Sequence, residues 1–196
     1  MKINSIHIQN FRKLQLCTID FSEKETIFVG ANNSGKTTAM DALMIFLKTK
    51  SFKTQDFTLC HWKSLNEVGE NWIKADELKE EDKSVKLLEQ YLPILDLWIE
   101  VENSELHYVS HIIPTLDWKG GLLGIRLRFE PKDMDELIKE FIAFIINQTS
   151  YHKKKEKTLN YGQRHFGIFV NVNLMLILQS KLICLILINM MKSKNC

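Results

Sequence analysis

Apolar and polar positions alternate through the first twenty residues. Ile6 and Ile8 share one side of the alternation, which predicts a strand with one buried face. Asn10-Phe11-Arg12 interrupts it. Leu14 and Leu16 resume the pattern, and Ile19 and Phe21 continue it one residue out of phase. That shift predicts a second strand with a bulge near Cys17-Thr18, and the two strands are expected to pair as a hairpin. After the polar turn at residues 22–25 comes a short run without alternation, Ile27-Phe28-Val29, the pattern of a buried strand. The sheet is therefore expected to be mixed. Beyond residue 36 the period changes. Ala39, Leu43, Phe46 and Leu47, with Met40 and Met44 beside them, have helical spacing.

The signal weakens over residues 48–92, where Phe52, Phe57, Trp62 and Trp72 are irregularly spaced among charges. Residues 77–83 have the composition of a solvated helix face or loop. Residues 93–101 predict a strand. Gly120-Gly121 and Gly124 mark a turn, after which Ile125, Leu127 and Phe129 alternate with Arg126 and Arg128 as an amphipathic strand. Asp133 stands three residues before Glu136, the spacing of a helix N-cap with a capping box. Leu137, Ile138, Phe141, Ile142 and Ile145 then give that helix a broad apolar face that needs a covering partner.

The candidate chemistry sits between the third predicted strand and the first helix. Gly30-Ala31-Asn32-Asn33-Ser34-Gly35-Lys36-Thr37 fits the phosphate-loop pattern G-x-x-x-x-G-K-[ST] at every fixed position. A triphosphate packs several negative charges closely, and successive backbone N–H groups can wrap them. Gly30 and Gly35 permit the backbone angles such a loop requires. Lys36 can reach the β- and γ-phosphates, Thr37 can place its hydroxyl on Mg²⁺, and the following helix points its positive end at the same charges. Asn33 is expected to contribute through its backbone.

Other candidates are weaker. Cys60-His61 has no further ligand at metal spacing and reads as packing. Glu100 and Glu102 share a strand face without a third ligand, a solvent face by preference. His107 and His111 could chelate an ion on a helix, but on the strand expected there they stand about 13 Å apart. Asp96 follows an apolar pair as a Walker B acid would, yet Leu97 stands where the second acid belongs. Gln55 has no strand before it and is not read as a metal-contacting glutamine. Arg126 and Arg128 read as a solvated face rather than a nucleic-acid contact.

Composition changes little. The chain has 196 residues, 45% apolar, with a formal charge of +2, so no strongly basic nucleic-acid footprint is visible overall. Its cysteines (Cys17, Cys60, Cys184 and Cys196) form no C-x-x-C pair. No secretory signal pattern opens the chain, and a cytoplasmic location is expected.

A strand, Asn10-Phe11-Arg12, two further strands and then G-x-N-x-S-G-K-T resemble the start of SMC/RecF-type ABC ATPases. Within that branch the chain is most similar to the overcoming-lysogenization-defect (OLD) family of ATP-dependent endonucleases. The resemblance covers about residues 1–145. It includes Leu95-Asp96-Leu97-Trp98-Ile99-Glu100-Val101-Glu102, His107-Tyr108-Val109-Ser110-His111, Pro114 through Gly124, and Arg126 through Asp133. It implies an α/β phosphate-loop NTPase lobe of the ABC/SMC type, with a mixed sheet and an added antiparallel β segment near residues 94–130. It implies ATP and Mg²⁺ as cofactors. Gly30, Asn33, Ser34, Gly35 and Lys36 would hold phosphate, Thr37 the metal, and Thr38 the α-phosphate. Arg12 is either near the nucleotide or a surface residue at a strand end. Dimerisation of two ATPase heads and action on DNA are further implications of the resemblance.

Parts of the family pattern have no counterpart. No Leu-Ser-Gly-Gly-Gln signature, Walker B acid pair, switch histidine or Toprim-type nuclease segment is found in the sequence. The expected organisation is an ATPase lobe over 1–147, a charged connector over 148–167, and an apolar tail over 168–196. That tail is read as unrelated to the family's continuation, as a frameshift or early stop would produce. A buried helix, a partner-binding segment and a membrane helix are the alternatives. Asn171, Asn173, Gln179 and Lys181 interrupt the membrane pattern, and no membrane association is expected. Two rival functional readings remain. One is a nucleotide-binding module without turnover, working by dimerisation or as a decoy of a larger partner. The other is a non-functional remnant.

Overall fold

A computed structural model of the chain describes residues 1–78, 88–113, 117–131, 133–155, 184–185 and 188–190. Two compact units divide it. The first takes Met1–Ser51, Leu92–Phe129 and Cys184–Cys196, and the second takes Phe52–Tyr91 and Glu130–Ile183.

The first unit is built on antiparallel strands. β1 (Lys2–Phe11) turns through Arg12 and Lys13 into β2 (Leu14–Asp20), β3 is Ile94–Val101, and β4 is Gly121–Glu130. They lie in the order β2-β1-β3-β4, with short strands β5 (Cys184–Leu185) and β6 (Ile188–Met190) beside β4. Ladder partners share a face, so register shows what each face contains. Ile6 pairs Leu97, which pairs Ile125, and Ile8 pairs Leu95, which pairs Leu127. All six side chains are buried. On the opposite face His7 pairs Asp96, which pairs Arg126.

The expected hairpin is present, but its bulge is elsewhere. Register between β1 and β2 is unbroken from Ser5↔Asp20 to Phe11↔Leu14. The irregularity falls between β1 and β3, near Ile3 and Ser5. The change of phase in β2 needs no extra residue, because the strand offers apolar residues to both faces and leaves Leu16 exposed.

Residues 26–29 form no ladder with any described strand. Ile27 is 72% and Val29 88% exposed, with Phe28 between them half-buried. The chain is apolar enough for a strand, but a strand exists only through the neighbours that pair with its backbone. The region of His107 and His111 also differs from expectation. Leu106–Val109 is a helical turn rather than a strand.

Helix α1 (Lys36–Met44) follows the phosphate loop and passes into a π-helical turn at Ile45–Thr49. Thr38, Ala39, Ala42 and Phe46 form its buried side, and the Phe46 ring lies 6.5 Å from that of Phe11 at the end of β1. The wider π turn shifts its own residues away from an α-helical projection. Leu47, expected on the buried stripe, is instead 45% exposed.

The second unit pairs two amphipathic helices. α2 (Trp62–Leu78) buries Leu65, Val68 and Trp72, and α3 (Met134–Lys155) buries Leu137, Phe141 and Ile145. The first set recurs at three and then four residues and the second at four, both the spacing of one helix face. Trp72 meets Phe141 edge-on at 5.7 Å and 80°, a favourable aromatic geometry. The cap expected at Asp133 is present, its Oδ1 accepting the Glu136 N–H at 3.0 Å. Cys60 is exposed and His61 sits in a 3₁₀ turn 5.2 Å from the Tyr91 ring. Partial burial lowers the His61 pKa.

The connector expected over 148–167 begins inside α3, and of the apolar tail only the backbone of β5 and β6 lies within the described residues. Among the described residues no helix is long and apolar enough to cross a membrane.

Candidate nucleotide site

The site is a loop closed on itself and held from one side by a hairpin tip. Gly35 caps α1 with φ +103°, the left-handed region that glycine enters without strain. It is buried, and a Cβ there would stand 3.2 Å from Leu14 Cδ2. A Cβ on Gly30 would stand 2.9 Å from Ser34 Oγ. A Cβ at either position would make a neighbouring side chain give way, and at Gly35 the backbone conformation itself calls for glycine. Asn33 also takes a positive φ of 66°, a region where asparagine is better tolerated than most residues.

Lys36 turns its ammonium inward. Nζ donates to the Gly30 carbonyl at 2.6 Å, the Ala31 carbonyl at 2.8 Å and Ser34 Oγ at 3.3 Å. The Ser34 N–H meets the Ala31 carbonyl at 3.2 Å across the loop. A cation held only by neutral oxygens favours an anion in its vicinity, and a phosphate oxygen fits that demand. The helix N-terminus supplies further positive potential. The donors therefore fit a phosphate group. Thr37 is exposed at the start of α1, so its hydroxyl is available to a phosphate-bound Mg²⁺. Thr38 is buried, with 9% exposure.

The structure brings Gly30, Asn33, Ser34, Gly35, Lys36, Thr37 and Thr38 together as one continuous segment. Arg12 reaches the same neighbourhood from the hairpin tip. Its Nη1 donates to Asp41 Oδ2 on α1, and its guanidinium lies 5.1 Å from the Phe11 ring centroid. Arg12 thereby ties the hairpin to the helix that carries the loop.

Three residues of this arrangement were not singled out from the sequence: Lys13, Leu14 and Asp41. Lys13 Nζ donates to the Asn33 carbonyl and, at 2.6 Å, to Asn33 Oδ1. The Asn33 side chain therefore has a role beyond its backbone. A clue lay in the adjacency of Arg12 and Lys13 at a predicted turn, but spacing alone does not say where a turn points.

The weaker candidates resolve into structure. Asp96 Oδ1 and Oδ2 accept from Arg126 Nε at 2.7 Å and Nη2 at 2.8 Å, so Arg126 is an ion-pair partner rather than a solvated side chain. That hydrogen-bonded carboxylate raises the Arg126 pKa. Among the described residues no group of three or more His, Cys, Asp or Glu side chains is placed to hold a metal.

Comparison with known proteins agrees with the loop. The family model described as "AAA ATPase domain" matches residues 1–194. The DNA replication and repair protein RecF of Geotalea daltonii is 33% identical over 82 residues, 41% of this chain and 22% of that protein. RecF of Leptospira interrogans is 38% identical over 81 residues, again 41% of this chain and 22% of the relative. The matched stretch is thus under a quarter of each relative's length. A solved structure from work on ATP-driven dimerization and DNA-stimulated activation of SMC ATPases aligns over 66% of this chain and 63% of its own, at 18% identity and a TM-score of 0.36. With the family model matched over nearly its whole length, the chain belongs to the AAA ATPase domain family.

Proposed function

We propose that the chain binds Mg-ATP through residues 30–37 and serves as the ATP-binding lobe of a RecF-like or OLD-type ATPase that couples ATP hydrolysis to DNA processing or defence. The observation that carries this reading is the inward-turned Lys36 ammonium, held by the Gly30 and Ala31 carbonyls within a loop of phosphate-binding pattern. Gly30, Asn33, Ser34, Gly35 and Lys36 take the phosphates, Thr37 the Mg²⁺, and Thr38 lies next along the helix toward the α-phosphate. Arg12 keeps the hairpin against α1 and close to the nucleotide. The partial RecF relatives, named for DNA replication and repair, support DNA as the partner. A second ATPase head is the proposed protein partner, and the cytoplasm the proposed location.

Phosphate release by the purified chain with Mg-ATP, measured with and without double-stranded DNA, tests the coupling. Turnover that rises with DNA supports the coupling. Turnover indifferent to DNA contradicts a DNA-coupled ATPase. ATP binding without any turnover leaves a nucleotide-binding module and contradicts hydrolysis by this lobe alone.

A further inference from the structure

Building on the proposed nucleotide site, we infer that Lys13 is a positioning residue of the phosphate loop. It keeps the Asn33–Ser34 peptide turned so that the loop presents its N–H groups inward. The hairpin tip sets its path. β1 and β2 are joined by only Arg12 and Lys13, and Arg12 takes φ +50°. The Lys13 stem then crosses Gly35, its Cε standing 3.6 Å from where a Cβ would sit. Its ammonium ends on both the carbonyl and the side-chain oxygen of Asn33.

The consequence follows from peptide geometry. A trans peptide is planar, and its C=O and N–H point in opposite directions. With the Asn33 carbonyl held outward by Lys13, the N–H of Ser34 in the same peptide points the other way. It meets the Ala31 carbonyl, as does the Lys36 ammonium. An arriving phosphate oxygen takes over both donors without the peptide having to rotate. Asn33 holds a left-handed conformation, φ 66°, which asparagine adopts more readily than most residues but still less readily than glycine. Lys13 secures it by gripping both of the residue's oxygens. Arg12 plays a different part: it bonds to Asp41 on the helix that carries the loop.

Lys13 is exposed, so its hold is screened and its effect on affinity is moderate. The test uses the full chain and fluorescent analogues of ATP and ADP with Mg²⁺. Lys13→Met keeps the stem and removes the donors, Lys13→Arg keeps a donor, and Lys36→Ala reports on the site itself. Lys13→Met is expected to weaken ATP and ADP equally, by about fivefold. The nucleotide-free melting temperature should stay at the wild-type value, and Lys13→Arg should restore most of the affinity. Unchanged affinity in Lys13→Met, while Lys36→Ala abolishes binding, overturns the role of Lys13 and leaves the nucleotide site standing. A loss confined to ATP overturns it too, because that pattern belongs to direct contact with the γ-phosphate. A lowered melting temperature with no recovery in Lys13→Arg reduces Lys13 to general stabilisation. Binding to neither analogue by the wild type overturns the site and, with it, the role of Lys13.

Discussion

The Asp96–Arg126 pair is asymmetric, and that asymmetry sets a measurable order of effects. The Asp96 side chain is 4% exposed and that of Arg126 is 31% exposed. Removing the arginine therefore strands a carboxylate away from water, whereas neutralising the carboxylate leaves a guanidinium that water still reaches. Breaking a buried pair by removing one partner costs about 3–5 kcal/mol. Because the Arg126 end is partly open, Arg126→Met should lie near the lower end, about 3 kcal/mol. Asp96→Asn keeps the shape and an acceptor for the Nε–H, but its amide NH2 then faces the Nη2 donor, so it loses that second hydrogen bond and the charge assistance, about 1.5–2 kcal/mol. The double variant should then be more stable than Arg126→Met alone, because the neutral amide in place of the carboxylate needs no counter-charge. Urea unfolding of all four proteins at pH 7 gives the cycle, with midpoints converted at a common slope. Equal destabilisation by the two single variants, or strict additivity in the double, refutes the reasoning.

Two further effects follow from local geometry. Gly35→Ala places a Cβ at φ +103° and 3.2 Å from Leu14 Cδ2, so it should destabilise by about 1–2 kcal/mol. Its nucleotide affinity should also fall, and affinity equal to wild type would count against a closed loop gripped by the hairpin. Asp133→Ala removes the acceptor for the Glu136 N–H and should cost about 1 kcal/mol, while Asp133→Asn stays close to wild type in the same urea titration.

What the sequence made legible depended on how local the cause was. The phosphate loop is defined by residue types at fixed spacing, and Gly35, Lys36 and Thr37 fold where that spacing places them. The hairpin was legible because alternation on both sides of a short turn leaves few other pairings. The Asp133 cap was legible for the same local reason. Residues 26–29 were not, because apolar character shows that a segment can be buried but not whether a neighbour is there to pair with it. Arg126 was read by its own alternation as solvated. Only the register between β3 and β4 shows that it stands opposite Asp96. Leu47 was placed on the helix stripe by a period of 3.6, which the π turn at Ile45–Thr49 does not keep. Lys13 reaches Asn33 across twenty residues, a contact set by where the hairpin tip points and by no repeating pattern. The helical turn at Leu106–Val109 has too few residues to establish a period.

The proposed nucleotide binding turns on Lys36, whose ammonium lies among the loop carbonyls. Its exchange of those neutral oxygens for phosphate should make binding depend on it. The deciding experiment is titration of a fluorescent ATP analogue with Mg²⁺ into the wild type and into Lys36→Ala, with circular dichroism confirming that both are folded. Saturable binding by the wild type and none by an equally folded Lys36→Ala is the expected result. Equal binding by the two folded proteins would contradict the assignment of residues 30–37 as the phosphate site.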